Sequence, residues 1–161
     1  MELPMAERLV MYGAPAETGG LDWSWVTAQL EGAGAYWVVT PSPDHPHPRP
    51  VWGIWHADKL LLSIGSPKLK ADTQADESIT VHLGSVTDVV ILEGRTAGMA
   101  DDGDVLDAYN TKYDWDYKVD EYGPFTVVDP IKVMAWRSAG WAGREGFQAT
   151  GRWSFQSDRR T

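Results

Sequence analysis

From residue 35 onward the chain alternates short apolar runs with turn-forming clusters. The runs read Tyr36-Trp37-Val38-Val39, Val51-Trp52-Gly53-Ile54-Trp55, Leu60-Leu61-Leu62, Ile79-Thr80-Val81 and Val89-Val90-Ile91-Leu92. They are short, and most are rich in β-branched or aromatic residues, so the pattern predicts strands. Strands are expected over 35–40, 49–56, 59–64, 78–83, 88–98 (interrupted by Gly94), 130–137 and 151–155. Pro41, Pro43, Pro46 and Pro48 predict a non-helical connector between the first two. Ala57-Asp58 reads as a two-residue hairpin turn.

Three stretches carry the helical period instead. Over 22–31, Trp23, Val26, Thr27 and Leu30 share a face, Asp22 is placed to cap, and Gly32 and Gly34 end the helix. A second helix is expected over 67–75, with Pro67 at the first helical position. A third, over 102–113, repeats Val105, Leu106, Tyr109 and Tyr113. Residues 1–20 read as an arm ordered by docking, 114–129 as an acidic, aromatic loop, 138–146 as a Gly-rich loop and 157–161 as a polar tail. Residues 21–156 then form one domain. Short strands with three inserted helices predict a mostly β (α+β) fold, a small antiparallel barrel with helices packed outside. A doubly wound parallel sheet is not expected. Gly32-Ala33-Gly34 precedes a strand rather than following one, so it is not a dinucleotide fingerprint.

Composition narrows the partners. The 161 residues are 43% hydrophobic and include nine Trp, enough apolar area for one core. Cys is absent, which removes disulfides, thiol nucleophiles and thiolate metal sites. The net charge of -9 argues against a nucleic-acid partner, which needs a basic footprint. No apolar run approaches the roughly 18 residues of a membrane span. The first residues, MELPMAERLV, lack the basic start and apolar stretch of a signal peptide. A soluble, cytoplasmic protein with no membrane partner is the expectation.

Against an acidic background, local cations carry information. Between Asp58 and Ala108 the only ones besides His82 are Lys59, Lys68, Lys70 and Arg95. Lys68 and Lys70 follow Gly65-Ser66-Pro67, where a strand ends and a helix begins. Free N–H groups and the positive end of the helix dipole favour an anion there, so this segment is a candidate phosphate cradle. The bland alternative is a capped helix with two solvated lysines. On the preceding strand, alternation sends Arg49, Val51, Gly53 and Trp55 to one face and Pro50, Trp52, Ile54 and His56 to the other. Pro50 and Gly53 are poor strand formers; a flat ligand lying on the backbone would account for both, and so would a barrel corner. Asp44, His45 and His47 have no third His and no Glu near them in sequence, and a turn with exposed histidines is the reading taken over a metal site. His56 and His82 read as structural. No nucleophile elbow, triad or acid–base carboxylate pair stands out, so any hard chemistry would belong to a cofactor.

Taken together, Tyr36-Trp37, the run from His47 to Trp55, Ser66-Pro67-Lys68-Leu69-Lys70, the DVVILEG strand from Asp88, Tyr109-Asn110-Thr111-Lys112-Tyr113 and Arg152-Trp153-Ser154-Phe155 resemble the pyridoxamine 5'-phosphate oxidase-like split β-barrels. The likeness is to the group with FMN proteins and actinobacterial deazaflavin (coenzyme F-420) reductases, and it spans residues 21–156. It implies a homodimer with cofactor sites at the subunit interface. The ring would lie along Pro50, Val51 and Trp52, and the phosphate would sit near Ser63, Ser66, Lys68 and Lys70. Arg49, Ile64 and Gly65 complete that stretch, and Trp136 or Trp153 would come from the other chain. The implied activity is hydride transfer from reduced F-420 or FMN to a small electron-poor organic substrate. The alternative is a non-enzymatic barrel holding FMN, haem or another flat ligand. The resemblance leans to the deazaflavin and places it ahead, whereas the scarcity of cations leans to FMN. One departure stands out. The family has Asn directly after its second basic residue, and here Ala71 and Asp72 follow, with Asp72 expected to oppose an anion unless it points away or caps something.

Overall fold

A computed structural model describes residues 3–7, 9, 19–138 and 147–155. Among the described residues nine strands join in one sheet: β1 (Met5–Glu7), β2 (Gly19–Gly20), β3 (Tyr36–Thr40), β4 (His47–His56), β5 (Lys59–Ser63), β6 (Ser78–His82), β7 (Asp88–Ala100), β8 (Phe125–Ser138) and β9 (Phe147–Ser154). Four helices are inserted among the same residues: α1 (Trp23–Gly32), α2 (Pro67–Ala75), α3 (Gly103–Tyr113) and α4 (Val119–Tyr122).

The order β8-β5-β4-β3-β6-β7 closes because β7 also pairs with β8, giving a six-stranded antiparallel barrel. The 14-residue β8 serves two neighbours in succession. Its residues Thr126 to Val128 pair with β5, and Lys132 to Ser138 pair with β9. The barrel is thereby split, with β9 outside it and β1 and β2 added along β9. Glu93/Gly94 and Thr96/Met99 are register shifts in β7, where bulges bend a long strand around the closure.

The interior is filled by Tyr36, Val38, Val51, Leu60, Leu62, Val81, Leu92, Val128 and Val133, and Val26 and Leu30 of α1 pack onto it. A second cluster lies on the outer face of β4 and β5. There Ile54, Leu61, Phe125 and Val127 meet Val105 and Tyr109 of α3 and the loop residue Tyr117. Both faces of β4 are therefore covered around Ile54 and Trp55.

The hairpin at Ala57-Asp58 has both residues at positive φ (49° and 56°), the mirror-image turn that matches strand twist. The helix over Pro67–Ala75 has the expected bounds. The 114–129 stretch is not a plain loop. It contains α4, and β8 begins at Phe125, five residues before the expected start. Phe125, Thr126, Val127 and Val128 are buried on both faces, so they lack the alternation that marks a half-exposed strand. The strand expected over 49–56 starts at His47 and runs through Pro48 and Pro50, for a reason that matters to the site. The last strand starts at Phe147, earlier than the expected 151–155. The expected Gly-rich loop, from residue 139 on, and the polar tail lie outside the described residues.

Candidate functional site

β4 is longer than its neighbour. β5 accompanies it only from His56 back to Trp52, whose partner is Ser63. Beyond that pair the chain leaves the sheet through Ile64, Gly65 and Ser66 into α2. Residues His47 to Val51 keep β3 on one side alone, in the register Thr40↔His47, Val38↔Arg49 and Tyr36↔Val51. In an antiparallel ladder alternate residues turn their N–H to opposite edges. Prolines at 48 and 50 thus occupy positions whose N–H would face the open edge, where none is needed.

The gap left by the departure of β5 is a cavity of about 300 Å³, lined by Arg49, Pro50, Val51, Trp52, Ser63, Gly65, Ser66, Leu69 and Tyr109. One end is apolar and aromatic. Trp52, half exposed, stacks on Tyr113 with ring centroids 5.0 Å apart and planes 7° from parallel. The other end is the first turn of α2; Arg49 also lines the cavity, and its Nη1 donates to its own neighbour, the Pro48 carbonyl, at 2.7 Å. Ser63 Oγ and Tyr117 Oη lie 3.2 Å apart, and Tyr117 donates to the Gly123 carbonyl at 2.9 Å.

The α2 cradle is smaller than a bare helix start. Ser66 Oγ accepts from the Leu69 amide at 3.3 Å, the Lys70 amide donates to the Ser66 carbonyl at 3.0 Å, and Pro67 has no N–H. The Lys68 amide is left as the first-turn donor for an anion. The two lysines do not line the cavity. Lys68 Nζ donates to Ser42 Oγ at 2.9 Å and lies 3.7 Å from Asp72 Oδ1.

Asp72 turns away from the cradle. It is buried, and its Oδ2 accepts from His47 Nδ1 at 3.0 Å and from Thr40 Oγ1 at 3.3 Å. The His47 hydrogen bond, helped by Lys68 and Thr40, holds this carboxyl below the usual carboxylate range. The departure at Asp72 is thus a clamp joining α2 to β3 and β4. His47 is correspondingly not an exposed turn residue but 94% buried, since 6% of its surface remains accessible. Among the described residues no group of three or more His, Asp or Glu could hold a metal.

Seven of the expected cofactor residues are brought together around one cavity: Arg49, Pro50, Val51, Trp52, Ser63, Gly65 and Ser66. Others go elsewhere. Ile64 and Trp153 are buried in the barrel core, Trp153 against Trp23 at 5.4 Å between ring centroids. Trp136 lies on β8, opposite Val89 and Thr150, away from the cavity lining. Gly53 is explained without a ligand, because a Cβ there would meet the Leu61 carbonyl oxygen at 2.5 Å. Leu69 and Tyr109 join the site unannounced. Tyr109 reads as part of a helical repeat and Leu69 only as a member of the Ser66–Lys70 segment; both are buried, and they border the gap where β5 ends. Burial pushes the Tyr109 hydroxyl up to about 12. The lining contains no His, Asp, Glu or Lys.

The sequence matches no family model and no curated protein. Solved structures share the fold. An F420 reductase is 18% identical over 66% of this chain and 93% of its own, with a TM-score of 0.54. A FAD-binding protein from Mesorhizobium loti is 13% identical over 84% and 96%, with a TM-score of 0.57. A NimC/NimA family protein from Clostridium acetobutylicum is 19% identical over 82% and 91%, with a TM-score of 0.56. The fold is that of the pyridoxamine 5'-phosphate oxidase-like split β-barrels. No helix among the described residues is long and apolar enough to cross a membrane.

Proposed function

We propose that this protein is a flavin-type oxidoreductase that binds reduced coenzyme F-420 or FMN and acts on a small electron-poor organic substrate. One observation carries the reading. A single cavity has an aromatic, apolar end at Pro50, Trp52 and Tyr109 and an anion-favouring end at Arg49, Gly65, Ser66 and the start of α2. That donor set suits a flat ring joined to a phosphate. Trp52, Pro50 and Val51 would hold the ring. Ser63, Ser66, the Lys68 amide and Arg49 would take the polar chain and phosphate, and Lys70 would add long-range attraction. The bound cofactor supplies hydride transfer. The protein's part is to orient the ring, exclude water from one face and leave the other open to substrate. The lack of a neutral-range acid or base in the lining suits chemistry carried by the cofactor. A homodimer would close the open side of this half-exposed site, as the resemblance implies.

The test is direct. The purified protein is titrated separately with FMN and with F-420, and the loaded protein is assayed for reduction of quinones, enones and tetrapyrroles. Saturable binding with turnover supports the reading. Binding without turnover favours the carrier barrel, and binding of neither sinks the oxidoreductase reading.

A further inference from the structure

We propose that Tyr113 and Lys112 are positioning residues for the ring-binding wall, acting through the Gly53 peptide on Trp52; this rests on the cofactor reading above.

His47, Arg49 and Val51 are the residues that bond to β3, so by alternation the N–H and C=O of Gly53 point to the same side. There β3 has already ended, because Tyr36↔Val51 is its last pair. On the opposite edge Gly53 is held so close to β5 that a Cβ would strike the Leu61 carbonyl oxygen. The Gly53 peptide would be left with two unmet polar groups next to a buried residue.

The C-terminal end of α3 supplies what the missing strand does not. The Gly53 amide donates to Tyr113 Oη at 3.1 Å. The Tyr113 hydroxyl proton faces the Gly53 carbonyl at 2.9 Å and the Gly34 carbonyl at 3.1 Å. Lys112 Nζ donates to the Gly53 carbonyl at 3.0 Å and to Tyr36 Oη at 2.9 Å, and Tyr36 donates onward to the Leu30 carbonyl at 2.5 Å. Lys112 has no carboxylate partner among the described residues. Its ammonium lies 4.8 Å from the centroid of the Tyr36 ring and 5.3 Å from that of Tyr113. Two side chains thus imitate one rung of a strand.

The consequence falls on Trp52, the next residue along. Its indole has no core to hold it, since 51% of its surface is accessible. Its backbone is paired with Ser63 on one edge and adjoins the Gly53 peptide, and its indole rests on the Tyr113 ring. The same tyrosine therefore anchors the peptide through its hydroxyl and the indole through its face. Loss of either polar anchor frees the wall on which the cofactor ring is to lie, without touching the cofactor itself.

The experiment uses the full chain with FMN as probe, measured by quenching of FMN fluorescence. Near-UV circular dichroism of the free protein is recorded alongside, with the Trp52 band identified by difference from Trp52→Phe. Tyr113→Phe keeps the ring and removes the hydroxyl; Lys112→Met keeps the stem and removes the charge. Each is expected to weaken FMN binding about tenfold and to diminish the Trp52 band. Lys112→Arg, which keeps the donors, is expected to restore the band. Wild-type affinity and a wild-type band in both variants would overturn the proposal. So would a changed band with unchanged affinity. If the wild type fails to bind FMN, F-420 replaces it as the probe; if neither binds, the cofactor reading fails on its own, and the band then still decides whether Tyr113 and Lys112 hold Trp52. Should Lys112→Met not fold, Tyr113→Phe carries the same two readouts.

Discussion

Gly53→Ala tests the geometry that positions the site. The added Cβ would sit 2.5 Å from the Leu61 carbonyl oxygen and 3.0 Å from Leu62 Cδ2. The first distance is about 1 Å inside ordinary van der Waals contact. The obstacle is main chain in the β4–β5 ladder, so it cannot swing aside as a side-chain tip could. Overpacking of this kind costs about 1–3 kcal/mol, and the better strand propensity of Ala returns roughly 0.5–1 kcal/mol. A net loss of about 1 kcal/mol is expected, equivalent to about 2–4 °C in melting temperature for a chain of this length. Gly84→Ala is the control. Nothing lies within 4 Å of its Cβ and its φ is not positive, so it should be neutral or stabilise by a few tenths of a kcal/mol. Urea and thermal unfolding followed by tryptophan fluorescence measure both. If Gly53→Ala proves as stable as Gly84→Ala, the close approach of β4 and β5 is wrong, and with it the account of why the strand carries glycine.

Trp153→Ala and Trp52→Ala should behave oppositely. The first empties a core position and should cost about 3–5 kcal/mol of stability, whereas the second should cost little stability and weaken cofactor binding, measured by urea unfolding and FMN titration in parallel. Ser66→Ala removes the α2 cap, with an expected loss of about 1 kcal/mol in urea and a weaker affinity for phosphate-bearing ligands. The pH dependence of stability has a definite sign above neutrality. Burial lowers Lys112 to about 8, so the unfolded chain binds more protons between pH 8 and the ordinary lysine range, and stability should rise through that window. Burial raises Tyr36, Tyr109 and Tyr113, whose contribution is present below pH 10 and lost above it; Lys112→Met should abolish the rise and keep the fall in urea midpoints measured across this range.

Much of this architecture is legible in the chain because it depends on local rules. Ser66-Pro67 marks the start of α2 through capping and a fixed φ, and the helix begins there. Ala57-Asp58 is bounded by two apolar runs, which makes it a hairpin despite a poor turn dipeptide. What stays hidden depends on contacts distant in sequence. Asp72 looks hostile to an anion until His47 and Thr40, 25 and 32 residues away, are found to occupy it. His47 looks like a loop residue because the prolines around it suggest a connector. Only the absence of β5 on that edge lets the strand run through Pro48 and Pro50. Trp153 resembles a cofactor wall by its place in a terminal strand, yet β9 turns it into the barrel. Lys112 and Tyr113 read as the end of an amphipathic helix, and nothing local shows that β3 stops one rung short of Gly53, which they serve instead.

The gap between β4 and the start of α2 is proposed to hold a flavin-type cofactor. The most direct test is the equilibrium titration of the purified protein with FMN and with F-420, beside the same titrations of Trp52→Ala. The account predicts saturable binding of at least one of them, weakened tenfold or more by Trp52→Ala. No saturable binding of either, or binding indifferent to Trp52, would contradict it.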